Sequence, residues 1–354
     1  MTLYLHIPFC DSKCGYCAFN SRVGLENLKK PYMEKLTQNL QNELKKYPNV
    51  KFTSLYIGGG TPSVVDESLY EGIFTLLSGK MVENAEMNIE ANPNSLNESW
   101  LKTMKDYGIN RLSLGMQSFF PSKLKFLERS HRADSIFQSF DVISKIGLEN
   151  VSIDLIYGTP FCDETLLRNE INESCKLPIN HISAYQLSID EGSKFFAQKK
   201  EQKLCDFSDF SSIGHFVKGL LEEKGFLQYE VSNYTKGHKS LHNLSYWKSE
   251  DYLGIGAGAV GCIGNVRYYP PCEITEYLQD KEIKKEILSK DEKDFESLFL
   301  GMRCEVGILE TKIKNKEKLA ILLSEKKIQK KGNKIYNNDF FLGDEIALFL
   351  SDGL

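Results

Sequence analysis

Tyr4-Leu5-His6-Ile7-Pro8-Phe9-Cys10-Asp11-Ser12-Lys13-Cys14-Gly15-Tyr16-Cys17-Ala18-Phe19 is the stretch whose reading decides the fold. Its apolar opening reads as a short strand, and three thiols follow in the spacing Cys-x3-Cys-x2-Cys. Gly15 and the polar run Asp11-Ser12-Lys13 let the loop curl so that Cys10, Cys14 and Cys17 can converge. Three thiolates can hold three irons of a cubane cluster and leave the fourth iron open for a small molecule. A closed structural zinc site asks for four ligands, usually as two close pairs. His6 is the nearest fourth ligand, but it lies on the preceding strand, and no second Cys/His pair follows.

Outward from this loop, strands and helices alternate. Leu28, Tyr32, Leu36, Leu40 and Leu44 recur every four residues as one apolar helix stripe, with Pro48 and Asn49 as stop signals. Residues 52–57 form the next strand, and Gly58-Gly59-Gly60-Thr61-Pro62-Ser63 follows it. A helix is expected from about Asp66, then a strand at Met87 to Glu90 and a helix from Glu98 to Tyr107 closed by Gly108. Residues 111–117 give the fourth strand, and Ile136, Phe137, Phe140, Ile143 and Ile146 give the helix that Gly147 stops. Val151 to Tyr157 is the fifth strand, Leu166 to Cys175 a helix, and His181 to Leu187 the sixth strand. Such alternation means an α/β fold, a parallel sheet with crossover helices. Six units suit a partial (β/α)6 barrel rather than the closed eightfold one.

The pattern changes around Asp190-Glu191-Gly192-Ser193, which places a domain boundary there: 1–190 as the core, 191–354 as a smaller α+β domain. Phe207 to Lys224 reads as a helix, Tyr229-Glu230-Val231 as a short strand, and Phe295, Leu298, Phe299 and Met302 as a later helix face. From about residue 287, short helices and a strand pair over Lys334 to Leu342 suggest a small winged-helix-like unit.

The chain has 354 residues, 41% hydrophobic and 26% charged, as in an ordinary globular protein. A net charge of −4 gives no electrostatic reason to expect nucleic acid as a partner. No apolar run approaches membrane-spanning length, and no secretion signal is evident. Nine cysteines without regular pairing fit a reducing cytoplasm. Outside the loop, Cys162, Cys175, Cys205, Cys262, Cys272 and Cys304 read as small buried hydrophobes.

Ligands of parallel β/α folds bind beyond the carboxyl ends of the strands. The cysteine loop follows the first strand, the triple glycine follows the second, Glu90 ends the third, Gln117 ends the fourth, and Asp154 lies inside the fifth. Each has an ordinary alternative: a tight turn for the glycines, a solvated strand end for Glu90, surface hydrogen bonds for Gln117 and Arg129. Asp154, between Ile153 and Leu155, would be costly to bury without a polar partner. Only the set points to a ligand.

The Cys-x3-Cys-x2-Cys loop within His-Ile-Pro-Phe-Cys, with an aromatic residue before the last Cys, resembles the radical SAM superfamily. The resemblance implies a [4Fe-4S] cluster on Cys10, Cys14 and Cys17, with S-adenosylmethionine (SAM) on the open iron. Gly-Gly-Gly-Thr resembles the segment that binds the methionine amino group, which gives Gly59, Gly60 and Thr61 that role. Glu90, Gln117, Arg129 and Asp154 match the polar SAM contacts of the coproporphyrinogen dehydrogenase branch, and Tyr4 the tyrosine before its cluster motif. Tyr16, Phe19 and, more loosely, Ala184 complete the cofactor contacts that the resemblance implies.

The same branch carries His-Asn-x-x-Tyr-Trp, here His242-Asn243-Leu244-Ser245-Tyr246-Trp247, followed by Asp251 to Ala259. Two activities belong to it. The oxygen-independent dehydrogenase decarboxylates two propionates of coproporphyrinogen III, and it carries a further cysteine two residues after the third cluster Cys and an extension before the motif. Phe19 stands at that cysteine's position, and the first cluster cysteine is already residue 10. Both departures resemble the HemW-type haem chaperones, which the resemblance makes the preferred reading. It implies haem as a further cofactor, haem-accepting proteins (respiratory enzymes among them) as partners, and room for a homodimer. Haem asks for a large apolar pocket and an axial ligand. His242 is the first candidate, against the ordinary alternative of a core histidine in an aromatic cluster; His215, His238, Cys262 and Cys272 follow. Gly256-Ala257-Gly258-Ala259-Val260-Gly261 fits a dinucleotide fingerprint literally, yet turn-like residues and Tyr268-Tyr269-Pro270-Pro271 follow where a helix should open.

Overall fold

The computed structural model describes residues 1–161, 163–200 and 212–351. In its first half β1 (Thr2–Ile7), β2 (Phe52–Gly59), β3 (Met81–Ala91), β4 (Arg111–Gln117), β5 (Val151–Tyr157) and β6 (His181–Gln186) pair in sequence order, every pair parallel. Helices α1 (Glu26–Lys46), α2 (Glu71–Leu77), α3 (Glu98–Asp106), α4 (Pro121–Phe126), α5 (Ala133–Ile146) and α6 (Glu164–Ser174) make the crossovers. This is the expected α/β partial barrel. Among the described residues β1 and β6 pair with later strands, not with each other.

Local chemistry accounts for these elements. Tyr32, Met33, Leu36, Leu40 and Leu44 of α1 are buried against the sheet, and burying each such side chain favours the fold by about 1.5–3 kcal/mol. The Asn97 side chain accepts the Trp100 N–H at the start of α3, and the Asp163 side chain accepts the Leu166 N–H at the start of α6. Gly147 ends α5 in the left-handed region, φ 69°. The strands are buried on both faces: helices cover the apolar side, and the barrel interior encloses the other, where Arg111, Ser113, Ser152 and Asp154 stand.

Past residue 190 the chain continues through α7 (Lys194–Lys200) and α8 (Ile213–Glu223), then extends the same sheet at both edges. β7 (Leu227–Gln228) and β8 (Asn233–Thr235) form a hairpin that adds antiparallel to β6. After α9 (Leu241–Trp247), β9 (Tyr252–Ile255) lies parallel to β1. β10 (Gly261–Ile263), β11 (Val266–Tyr269), α10 (Ile274–Leu278) and β12 (Lys284–Ile287) complete that edge of a 12-stranded sheet. Leu221, Phe226, Leu253, Ile255 and Tyr277 belong to the same hydrophobic core as β1–β6. A separate core, including Leu298, Met302, Leu319, Ile335 and Ile346, lies within α11 (Lys290–Met302), β13 (Ile308–Leu309), α12 (Lys316–Ser324), β14 (Ile328–Lys331), β15 (Lys334–Asn337) and α13 (Gly343–Leu350).

Several boundaries differ from the sequence reading. Asp66 caps a 3-10 turn at Glu67–Tyr70 by accepting the Ser68 N–H, and α2 begins only at Glu71. β3 starts already at Met81: residues 82–84 are exposed and show no apolar alternation, so the pattern gives no sign of its first half. Tyr229-Glu230-Val231 is the tip of the β7–β8 hairpin rather than a strand. The strand pair spans Ile328 to Asn337, and Phe340–Leu342 is a 3-10 turn. Of the expected helix at 207–224, residues 207–211 lie outside the described ones. So do Cys162 and Cys205, while Cys272 is exposed instead of buried.

Candidate functional site

The cysteine loop leaves β1 and is pinned on three sides. Cys10 N–H donates to Arg22 O at 3.0 Å and Arg22 N–H to Pro8 O at 2.7 Å, closing the loop's neck. Gly15 N–H donates to Leu127 O at 3.2 Å, and Phe195 N–H to Gly15 O at 2.8 Å. The triple glycine forms the third wall: Gly60 N–H reaches Ile7 O and Thr61 N–H reaches Phe9 O, both at 2.8 Å. A Cβ on Gly60 would stand 2.6 Å from Phe9 O, and one on Gly59 (φ 117°) 2.4 Å from the His6 ring. These glycines are therefore needed to let β2 close on the cysteine loop itself.

Cys10, Cys14 and Cys17 border one small cavity together with Tyr16, Phe19, Gly59, Gly60, Thr61, Glu90, Gln117, Arg129 and Asp154, so nearly all the expected cofactor residues share it. Cys10 Sγ lies 3.4 Å from Thr61 Oγ1, and Arg129 donates to Cys14 Sγ at 3.3 Å. The Arg129 guanidinium also donates to Asn92 Oδ1 at 2.8 Å and to Gly115 O. Each thiolate of a cubane holds its own iron, so the sulfurs need share a cavity and not a point. Among the described residues no three His, Cys, Asp or Glu side chains meet at one point. The donor set fits a three-cysteine cluster.

His6 is occupied otherwise: Nε2 donates to Asn20 O at 2.8 Å and Nδ1 accepts from the Tyr4 hydroxyl at 2.9 Å. Glu90 accepts from the Tyr56 hydroxyl at 2.7 Å and from Gly59 N–H at 3.1 Å. Burial pushes its carboxyl up, and those two hydrogen bonds oppose the shift. Asp154 borders the same cavity, and burial followed by the Glu90 charge pushes its carboxyl up to about 7. Gln117 sits at φ 63° beside a register shift in β4, a bulge that re-aims its side chain.

Two expected residues are not part of this cavity. Tyr4 borders a larger neighbouring one, and Ala184 is buried in β6 opposite Leu155. Conversely, Asn92, just past the end of β3, joins the site although no motif in the sequence points to it. It links Arg129 to Thr61, whose hydroxyl lies 3.0 Å from Asn92 Nδ2. Its one signal was its place at the carboxyl end of β3.

The larger cavity, about 690 Å³, is bordered by Tyr4, Tyr56, His242, Tyr246, Cys262 and Phe299 among others. Both His242 ring nitrogens are engaged, Nδ1 with Ser54 Oγ at 2.8 Å and Nε2 with the Tyr246 hydroxyl at 2.9 Å, and burial pulls its pKa down to about 3. The N-terminus of its helix is held by Glu86, which accepts from Leu241 N–H at 3.0 Å and His242 N–H at 2.9 Å. His215 pairs with Asp339, while His238 and Cys272 are exposed. Residues 256–261 connect β9 to antiparallel β10 with no helix, so the glycine fingerprint is a turn.

Comparison with known proteins fits this geometry. The radical SAM superfamily model matches residues 4–168. Heme chaperone HemW of Lactococcus lactis is 31% identical over 99% of this chain and 97% of its own length. The chain belongs to the HemW family of radical SAM proteins. HemW of Bacillus subtilis is 33% identical over 86% of this chain and 84% of its own, and HemW of Escherichia coli 34% over 74% and 70%. The solved structure of coproporphyrinogen III oxidase HemN from Escherichia coli superposes with a TM-score of 0.84 at 20% identity, over 99% of this chain and 90% of that one. HemN thus shares the fold over nearly the whole chain, and the sequence likeness to HemW of Lactococcus lactis likewise runs through the C-terminal part that bears His242 and the larger cavity.

Proposed function

We propose that this protein is a haem chaperone: it carries a [4Fe-4S] cluster and SAM, binds haem, and passes it to haem-accepting proteins. The observation that carries the reading is the near full-length likeness to proteins called heme chaperone HemW, C-terminal part included. Phe19, at the position where the dehydrogenases have a further cysteine, favours the chaperone over the enzyme.

Cys10, Cys14 and Cys17 would hold the cluster, whose open iron supplies the binding point for the SAM amino and carboxylate groups. Around it Glu90 and Gly59 offer an acceptor and backbone to an amino group, Asn92 and Thr61 fix Arg129, and Asp154 and Gln117 face the remaining polar edge. Haem would occupy the aromatic-lined cavity of about 690 Å³. His242 is the first candidate ligand, and ligation through Nε2 asks it to release Tyr246. Cys262 borders the same cavity and is the second. The cytoplasm, which keeps thiols reduced, suits this chain, and among the described residues no helix is long and apolar enough to cross a membrane. Respiratory enzymes are natural recipients, and a homodimer is compatible with delivery.

The test is anaerobic reconstitution with iron and sulfide, followed on the same sample by haem titration and a coproporphyrinogen III assay. The chaperone reading expects a Soret shift, co-elution of haem and no turnover. Conversion of coproporphyrinogen III with SAM and a reductant would give the function to the dehydrogenase, and loss of haem on gel filtration would end the chaperone reading.

A further inference from the structure

Adjoining the cofactor cavity, and sharing Tyr16, Cys17, Glu90, Gln117 and Asp154 with it, is a second space of about 330 Å³ inside the barrel. Asn88 and Arg111 border it but not the cofactor cavity. The two are register partners on β3 and β4, so their side chains stand next to each other on the inner face. Asn88 is fully buried, and neither its amide nitrogen nor its amide oxygen has a partner. A buried amide left unpaired at both ends is costly and rare in folded proteins. Arg111, 2% exposed, is nearly as underused. It reaches His238 O at 3.5 Å and Glu86 Oε2 at 3.7 Å, both at the outer limit of such contacts. Glu86 is already the acceptor for Ser240, Leu241 and His242.

A guanidinium fork with donors to spare, beside an amide N–H₂ with no acceptor, matches a planar carboxylate. We propose that this inner chamber binds the carboxylate of an organic acid, gripped by Arg111 and Asn88. The Asn88 oxygen then accepts from a water or hydroxyl brought in with the acid. The carboxylate has two chemical sources: a free small acid, or a propionate arm of haem reaching in from the larger cavity, which shares Tyr56 and Asn243 with this chamber. The second source rests on the haem reading above, and the first does not.

The experiment uses the reconstituted full chain and the variants Asn88→Ala and Asn88→Leu, which remove the amide without unpairing Glu86 from Arg111. For a free acid, the probes are carbon-13-labelled propionate and its neutral isostere propionamide, followed by NMR. Saturable binding of propionate but not propionamide, lost in Asn88→Leu, supports the site. For haem, the probes are haem and haem dimethyl ester. A wild-type affinity about tenfold weaker for the ester, with the difference abolished in both variants, assigns the carboxylate to haem. If propionate and propionamide behave alike and haem and its ester bind equally in all three proteins, the proposal is overturned. A failure of haem itself to bind would sink the haem reading but leave the propionate arm standing on its own result.

Discussion

Gly60→Ala puts the construction of the cysteine loop to the test. The added methyl would lie 2.6 Å from Phe9 O and 2.9 Å from Ile7 O, whereas ordinary contact begins near 3.4 Å. Both obstacles are backbone, so no side chain can swing aside. β2 must move away from the loop, straining the hydrogen bonds from Gly60 N–H to Ile7 O and from Thr61 N–H to Phe9 O. Two such bonds are worth about 1 kcal/mol each, and overpacking adds about 1–3 kcal/mol, for a loss of roughly 3–5 kcal/mol. The same movement carries Thr61 away from Cys10, so iron loading should fall together with stability. Urea unfolding of the apo protein and iron per chain after reconstitution measure the two effects. Gly219→Ala is the control: it lies exposed in α8 with nothing within 4 Å of the added Cβ, and a helix-interior Gly-to-Ala change should stabilise by about 0.5–1 kcal/mol. If Gly60→Ala unfolds with the wild-type midpoint and loads the same iron, the account of the triple glycine is wrong.

Other outcomes follow from buried charge and from the thiols. Lys123 and Glu170 form an ion pair with side chains 0% and 3% exposed, so Lys123→Ala should cost about 3–5 kcal/mol, while Lys123→Met with Glu170→Leu should recover most of it, read by urea midpoints. Burial pushes Glu230 up to about 7 from an ordinary 4.5. Folding therefore takes up a proton between those pH values, and the stability this group contributes is full below about 4.5 and lost as pH rises through about 7. Glu230→Gln should gain up to about 3 kcal/mol over wild type at pH 8 and little at pH 4. Subtracting the two pH profiles removes the opposite slope of buried neutral His242, and a flat difference would refute the assignment. Alanine at Cys10, Cys14 or Cys17 should abolish the cluster absorbance after reconstitution, whereas Cys272→Ser, at an exposed thiol, should leave it unchanged.

Much of the site was legible along the chain because its parts sit at the ends of consecutive strands. Glu90, Gln117 and Asp154 come together for the same reason that β3, β4 and β5 are neighbours: parallel strands joined by helices lie side by side in sequence order. What was missed lies across longer separations. Asn92 gains its role from Arg129 and Thr61, and His242 is set by Ser54, Glu86 and Tyr246, most of them far away in sequence. Strands of two to four residues, such as β7 to β12, carry too few positions for alternation to show.

The sequence by itself determined the α/β alternation, the three-thiol loop and the helix stops at Gly108 and Gly147, since each depends on residues within a turn or two of one another. Only the tertiary structure decided that Tyr4 faces the larger cavity, that the later strands extend the sheet at both edges, and that the unpaired Asn88 amide stands beside Arg111 inside the barrel. Which groups share a cavity depends on register and on how the sheet curves, and those are set by packing between segments that no local pattern relates.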